Sequence, residues 1–73
     1  MRSAAAGSAH LGTIVAFDAA VGLGEVERDD GAHFSFHCIE LSDGTRSIEV
    51  GVPVTFRLLC KLGRYQAADI ARR

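Results

Sequence analysis

The sequence predicts an all-β fold, a small five-stranded antiparallel barrel, on three observations. Apolar and β-branched residues come in short alternating runs. Most of the eight glycines and the single proline fall between or at the edges of those runs, where turns are needed. No stretch of eleven or more residues keeps a helical period. Five strands in 73 residues favour closure, because an open sheet of that size leaves unpaired edges exposed.

Each element follows from local chemistry. Residues 1–10 are mostly Ala, Ser and Gly and are expected to be a flexible N-terminal tail, leaving 11–73 as the folded domain. Leu11–Phe17 is rich in β-branched and aromatic residues and predicts the first strand. Leu23–Arg28 predicts the second, opening after Gly22. Asp30-Gly31 then supplies a two-residue hairpin turn, since Gly tolerates the positive φ such turns demand. Ala32–Cys38 is the third strand, with Phe34 and Phe36 on one side and His33, Ser35 and His37 on the other. Ile39–Gly51 is a longer connection turning at Ser42-Asp43-Gly44. Val52–Cys60 is the fourth strand, with Val54, Phe56 and Leu58 alternating against Thr55, Arg57 and Leu59. Pro53 lacks an N–H, which puts it at the strand start or on an edge. Lys61–Arg64 turns the chain into a fifth strand, Tyr65–Ala71, with Ala68 and Ile70 inward.

Composition narrows the function. The formal net charge is −1, so no overall basic field draws the chain to phosphates, and any such attraction must come from a local patch. No apolar run reaches the roughly 18 residues of a membrane span. The start, MRSAAAGSAH, has no continuous apolar core of the kind a secretory signal carries, so the expected location is cytoplasmic. Cys38 and Cys60 are too sparse for a disulfide scaffold and are read as two thiols in a reducing compartment.

The motifs resemble those of the cold-shock domain family, five-stranded OB-fold barrels that bind single-stranded DNA and RNA. Gly12-Thr13-Ile14-Val15-Ala16-Phe17-Asp18 is similar to the family's opening G-T-V-K-W-F-N. Gly22-Leu23-Gly24-Glu25-Val26 is similar to its first motif, G-F-G-F-I, and Phe34-Ser35-Phe36-His37-Cys38 to its second, V-F-V-H-F, at the same spacing. Gly51-Val52-Pro53-Val54-Thr55-Phe56 resembles G-Q-x-V-x-F, and Gln66-Ala67-Ala68-Asp69-Ile70 the closing Q-A-A-N-V. The likeness runs from Leu11 to about Ala71. It implies an OB-fold barrel of cold-shock type that binds single strands and is not an enzyme. The hairpin register supports the alignment. Shifting it by one residue would expose Phe34 and Phe36, at about 1.5–3 kcal/mol for each apolar side chain.

On this alignment most of the family's stacking platform is replaced. Its Trp position is Ala16, its first-motif phenylalanines are Leu23 and Glu25, and its second-motif phenylalanines are Ser35 and Cys38. Phe17 and His37 keep their identity, while positions that often carry lysine are Val15 and Val21. At about 1–3 kcal/mol per stacked base, five lost rings amount to roughly 5–10 kcal/mol of gross, non-additive stacking. Glu25 adds repulsion for phosphate.

Two functions from different classes follow. One is weak single-stranded DNA or RNA binding through Phe17, Leu23, Ser35 and His37, with Arg46, Lys61, Arg64 and Tyr65 supplying charge and a rim ring. The other is a protein-interaction or homodimerising module whose contact face is built from Val15, Val21, Leu23 and Glu25. A metal site from His33, His37, Cys38 and Cys60 lacks paired ligand spacing, and His37 and Cys38 would face opposite ways in a regular strand. A Cys–His nucleophilic pair lacks an orienting third group, and Gly22 and Gly24 open a strand rather than a phosphate-binding helix. No cofactor is expected.

Overall fold

The computed structural model describes residues 9–73, so the expected tail falls almost entirely outside the described residues. Five strands follow in order: β1 (His10–Asp18), β2 (Leu23–Arg28), β3 (His33–His37), β4 (Pro53–Lys61) and β5 (Arg64–Arg72). One turn of 3₁₀ helix, Cys38–Glu40, follows β3. All ladders are antiparallel, in the spatial order β3-β2-β1-β4-β5. The two outer strands, β3 and β5, lie against one another, yet no ladder joins them among the described residues. The barrel therefore closes by packing rather than by a continuous ring of hydrogen bonds. Beside this seam Leu41 bridges Ile70, and Ser42 N–H donates to the Ile70 carbonyl at 2.8 Å.

Local geometry departs from simple alternation at several places. In β1, Ile14 pairs with Val26 but Ala16 pairs with Glu25, so Val15 is an extra, bulged residue. The bulge lets Phe17 rejoin the side of Ile14. In β5, Thr55 pairs with Ala71 and Arg57 with Ala68, so the extra residue lies in β5, where Asp69 takes φ +54°. Ala67 and Ile70 are consequently the buried pair, in place of the expected Ala68 and Ile70. The β2–β3 turn has three residues rather than two. Gly31 N–H donates to the Arg28 carbonyl, Arg28 N–H to that of Ala32, and Gly31 sits at φ +94°. The β4–β5 turn is the two-residue one, with Leu62 and Gly63 both at positive φ, the type I′ pattern.

The core takes residues from every strand: Ile14, Val26, Phe36, Val54, Phe56, Ala67 and Ile70. Leu41 and Ile48, from the long connection, complete it. Phe34, Leu58, Phe17 and Val52 pack around the rim. Phe34 lies 6.0 Å from Phe56 ring to ring, and the Arg28 guanidinium covers its outer face at 5.2 Å. Pro53 opens β4 opposite Thr13, where its missing N–H costs nothing.

Candidate nucleic-acid interface

The outward face of β1–β3 is the surface on which the resemblance places a strand of nucleic acid. Register fixes its rows. Leu23 lies between Asp18 and His37, Glu25 between Ala16 and Ser35, and Glu27 between Thr13 and His33. No aromatic ring occupies these positions apart from the imidazoles. Glu25 is not a solitary charge. Its carboxylate accepts from His33 Nδ1, and Glu27 lies 3.6 Å from His33 Nε2. The hydrogen bond to Glu25 is the main cause that raises the His33 imidazole above its usual value, with Glu27 adding to it. The middle of the face is thus a Glu–His–Glu cluster of net negative charge, which repels phosphate at neutral pH.

Phe17 is half-buried rather than standing free. Its ring stacks on Phe36 with centroids 6.1 Å apart and planes 14° from parallel. Gly24, opposite both in the ladder, makes room for this pair. A Cβ there would sit 2.5 Å from Phe36 Cζ and 2.9 Å from the Ala16 carbonyl oxygen.

A groove of about 450 Å³ opens at the end of the face near the β4–β5 turn. Phe36 forms its floor, and Leu23 and Ile39, 51% and 63% exposed, form apolar walls. Ser35, His37, Glu40, Lys61 and Gln66 supply polar groups around it. Of the residues expected from the sequence, Leu23, Ser35, His37 and Lys61 are therefore brought together. Arg64 pairs with Lys61 across the hairpin turn, and Tyr65, 61% exposed, follows it. Arg46 stands apart in the 42–52 loop at φ +60°, and Phe17 does not line the groove. Of the second set, Val15 is half-buried at the bulge, Val21 is exposed in the β1–β2 turn, and Glu25 is engaged by His33.

Sequence reasoning missed Ile39, Glu40 and Gln66 as lining residues. Gln66 opens the closing motif and carried a signal, whereas Ile39 and Glu40 were assigned to a connection. The 3₁₀ turn brings them to the groove. His37 caps it, its Nδ1 accepting from Ile39 N–H at 3.3 Å. Because β3 ends at His37, Cys38 is not in a regular strand facing away. Its Sγ lies 3.8 Å from His37 Nδ1. That nitrogen already accepts from the backbone, which leaves Nε2 as the ring's N–H donor. Among the described residues no group of three His, Cys, Asp or Glu is placed to hold a metal ion.

Ion pairs sort the cations. Arg28 pairs with Asp30, Arg57 with Asp69, Arg72 with Asp43 and Arg73 with Asp29. The basic C-terminus thus staples loops to strands, with Arg72 also donating to the Ser47 carbonyl and Arg73 to that of Gly12. Arg46, Lys61 and Arg64 form no ion pair among the described residues. Two of these three flank the groove's hairpin.

A five-stranded antiparallel sheet rolled around one core, with a groove beside its β2–β3 face, defines an OB-type domain. No family model matches the chain, and no curated protein does. Among solved structures, the Drosophila Unr cold-shock domains CSD456 superpose with a TM-score of 0.76 at 27% identity, covering 90% of this chain. The chain thus has the fold of a cold-shock domain, and its motifs are similar to that family's. It spans 27% of the length of that Unr chain.

Proposed function

We propose that this domain binds single-stranded DNA or RNA weakly, along the groove beside the β4–β5 hairpin instead of across the centre of the sheet face. The observation that carries this is the groove itself. It gathers Leu23, Ser35, His37 and Lys61 around Phe36, and Arg64 adds a second cation at the hairpin with no counter-ion among the described residues. The depleted ring set and the Glu25–His33–Glu27 cluster support weak binding. Arg46 and Tyr65 serve the same strand farther out, and Phe17 supports Phe36 from behind. The domain acts by binding and carries out no chemistry, and its free thiols Cys38 and Cys60 suit the cytoplasm.

An NMR titration with a pyrimidine-rich single strand at two salt concentrations tests this. Expected are shifts at Leu23, Ser35, His37 and Lys61 that weaken with salt, and loss of most of them in Lys61→Glu/Arg64→Glu. Shifts centred on Glu25 and Ala16 instead, indifferent to that double substitution, would refute the placement.

One observation favours a second use, contact with a protein or with another copy of the chain. Val21 and Leu23 are exposed beside a face whose charge is negative, an arrangement that fits an apolar patch with a charged rim. Line widths that grow with protein concentration, with no response to the single strand, would select it.

A further inference from the structure

Resting on the single-strand reading above, we infer that the groove selects one guanine base from the bound strand. Five polar side chains converge on it, and each has a hydrogen-bonding group that no other described residue uses. Ser35, Lys61 and Gln66 make no side-chain hydrogen bond among the described residues. His37 Nδ1 is committed to Ile39 N–H, which leaves its Nε2–H free to donate. Glu40 Oε1 accepts from Asp69 N–H at 3.3 Å, and this contact fixes the carboxylate while Oε2 makes no other hydrogen bond among the described residues. A planar heterocycle fits between the apolar walls of Leu23 and Ile39, and a volume of about 450 Å³ accommodates a base with its sugar.

Chemistry then chooses among the bases. A carboxylate accepts and does not donate. Guanine alone presents two adjacent N–H donors on its Watson–Crick edge, a match for the free Oε2 and the remaining lone pair of Oε1, whereas adenine, cytosine and uracil or thymine offer one donor beside an acceptor that a carboxylate repels. Gln66 and Ser35 are amphoteric and satisfy the remaining edge, and Lys61 takes the flanking phosphate. The site differs from a stacking platform in that an acceptor, not a ring, sets the preference.

The test uses heptathymidylate and the same oligomer with guanosine at its centre, titrated by fluorescence anisotropy against the full chain and against Glu40→Gln. The glutamine keeps an oxygen for Asp69 N–H and removes the carboxylate. Expected is tighter binding of the guanosine oligomer by about fivefold or more, the lower end for a bidentate base contact. Glu40→Gln should erase that gain, so that the two oligomers bind the variant alike. If heptathymidylate binds but guanosine adds nothing, or if the gain survives Glu40→Gln, guanine selection is overturned and single-strand binding stands. If neither oligomer binds, both fall together.

Discussion

Replacing Gly24 with alanine tests how the sheet supports the groove floor. The added Cβ would lie 2.5 Å and 2.7 Å from Phe36 Cζ and Cε1, and 2.9 Å from the Ala16 carbonyl oxygen. Neither neighbour yields easily. Phe36 is 2% exposed and backed by Phe17, and the Ala16 carbonyl belongs to the adjacent strand. Over-packing of this kind costs about 1–3 kcal/mol, offset by roughly 0.4–1 kcal/mol because alanine narrows the unfolded ensemble. The expected net loss is about 1–2 kcal/mol, a large share of what a domain this small holds. At roughly 4–8 °C per kcal/mol, Tm should fall by about 4–16 °C. Far-UV circular dichroism during thermal and urea unfolding reads this directly. Gly24→Ala combined with Phe36→Leu should lose less than the sum of the single losses, by about 0.5 kcal/mol or more, because leucine withdraws the atoms that clash. A neutral Gly24→Ala, or losses that simply add, would refute the close approach.

Further outcomes follow from the same geometry. Placing a ring at the groove, Ser35→Phe, should tighten single-strand binding about fivefold or more at about 1–3 kcal/mol per stack, measured by anisotropy; no gain would show that nucleic acid does not enter the groove. Because Glu25 raises the His33 value, the stabilisation from that pair is complete below the ordinary imidazole value of about 6.5 and fades as pH rises through the raised one. NMR titration of the imidazole, repeated in Glu25→Gln, should show the value return toward ordinary. Asp30, held down to about 2 chiefly by its hydrogen bonds from Arg28, stabilises above its ordinary value of 3.8, and this contribution is lost as pH falls toward 2. Urea midpoints over that range should flatten in Asp30→Asn. Phe56→Ala, emptying the largest fully buried position, should cost about 3–5 kcal/mol by urea unfolding.

The strands were legible because their chemistry is local. Alternation around Phe34 and Phe36 and around Val54 and Phe56 placed the core side correctly. Local pattern could not foresee the bulges. Asp69 is of a type that tolerates a left-handed backbone, but strand alternation does not show where one falls, and this one residue moved burial from Ala68 to Ala67. Leu41 and Ile48 were illegible as core residues because an irregular segment has no period to read. The site was half legible for the same reason. Leu23, Ser35, His37 and Lys61 sit on strands and were named, whereas Ile39 and Glu40 reach the groove through a 3₁₀ turn set by the His37 cap. Which arginines were already spent on Asp29, Asp43 and Asp69 depended on contacts far apart in sequence.

The seam between β3 and β5 has a consequence for motion. Elsewhere neighbouring strands must break a ladder to separate, but here only side-chain contacts and the Leu41–Ser42 link to Ile70 resist. Amide hydrogens flanking this line should exchange with solvent through small, frequent openings, well before those of β1, which is paired on both sides. The groove floor, Phe36, lies on β3 and its rim residue Gln66 on β5. A ligand held there would bridge the two lips and act as the stitch that the backbone leaves out.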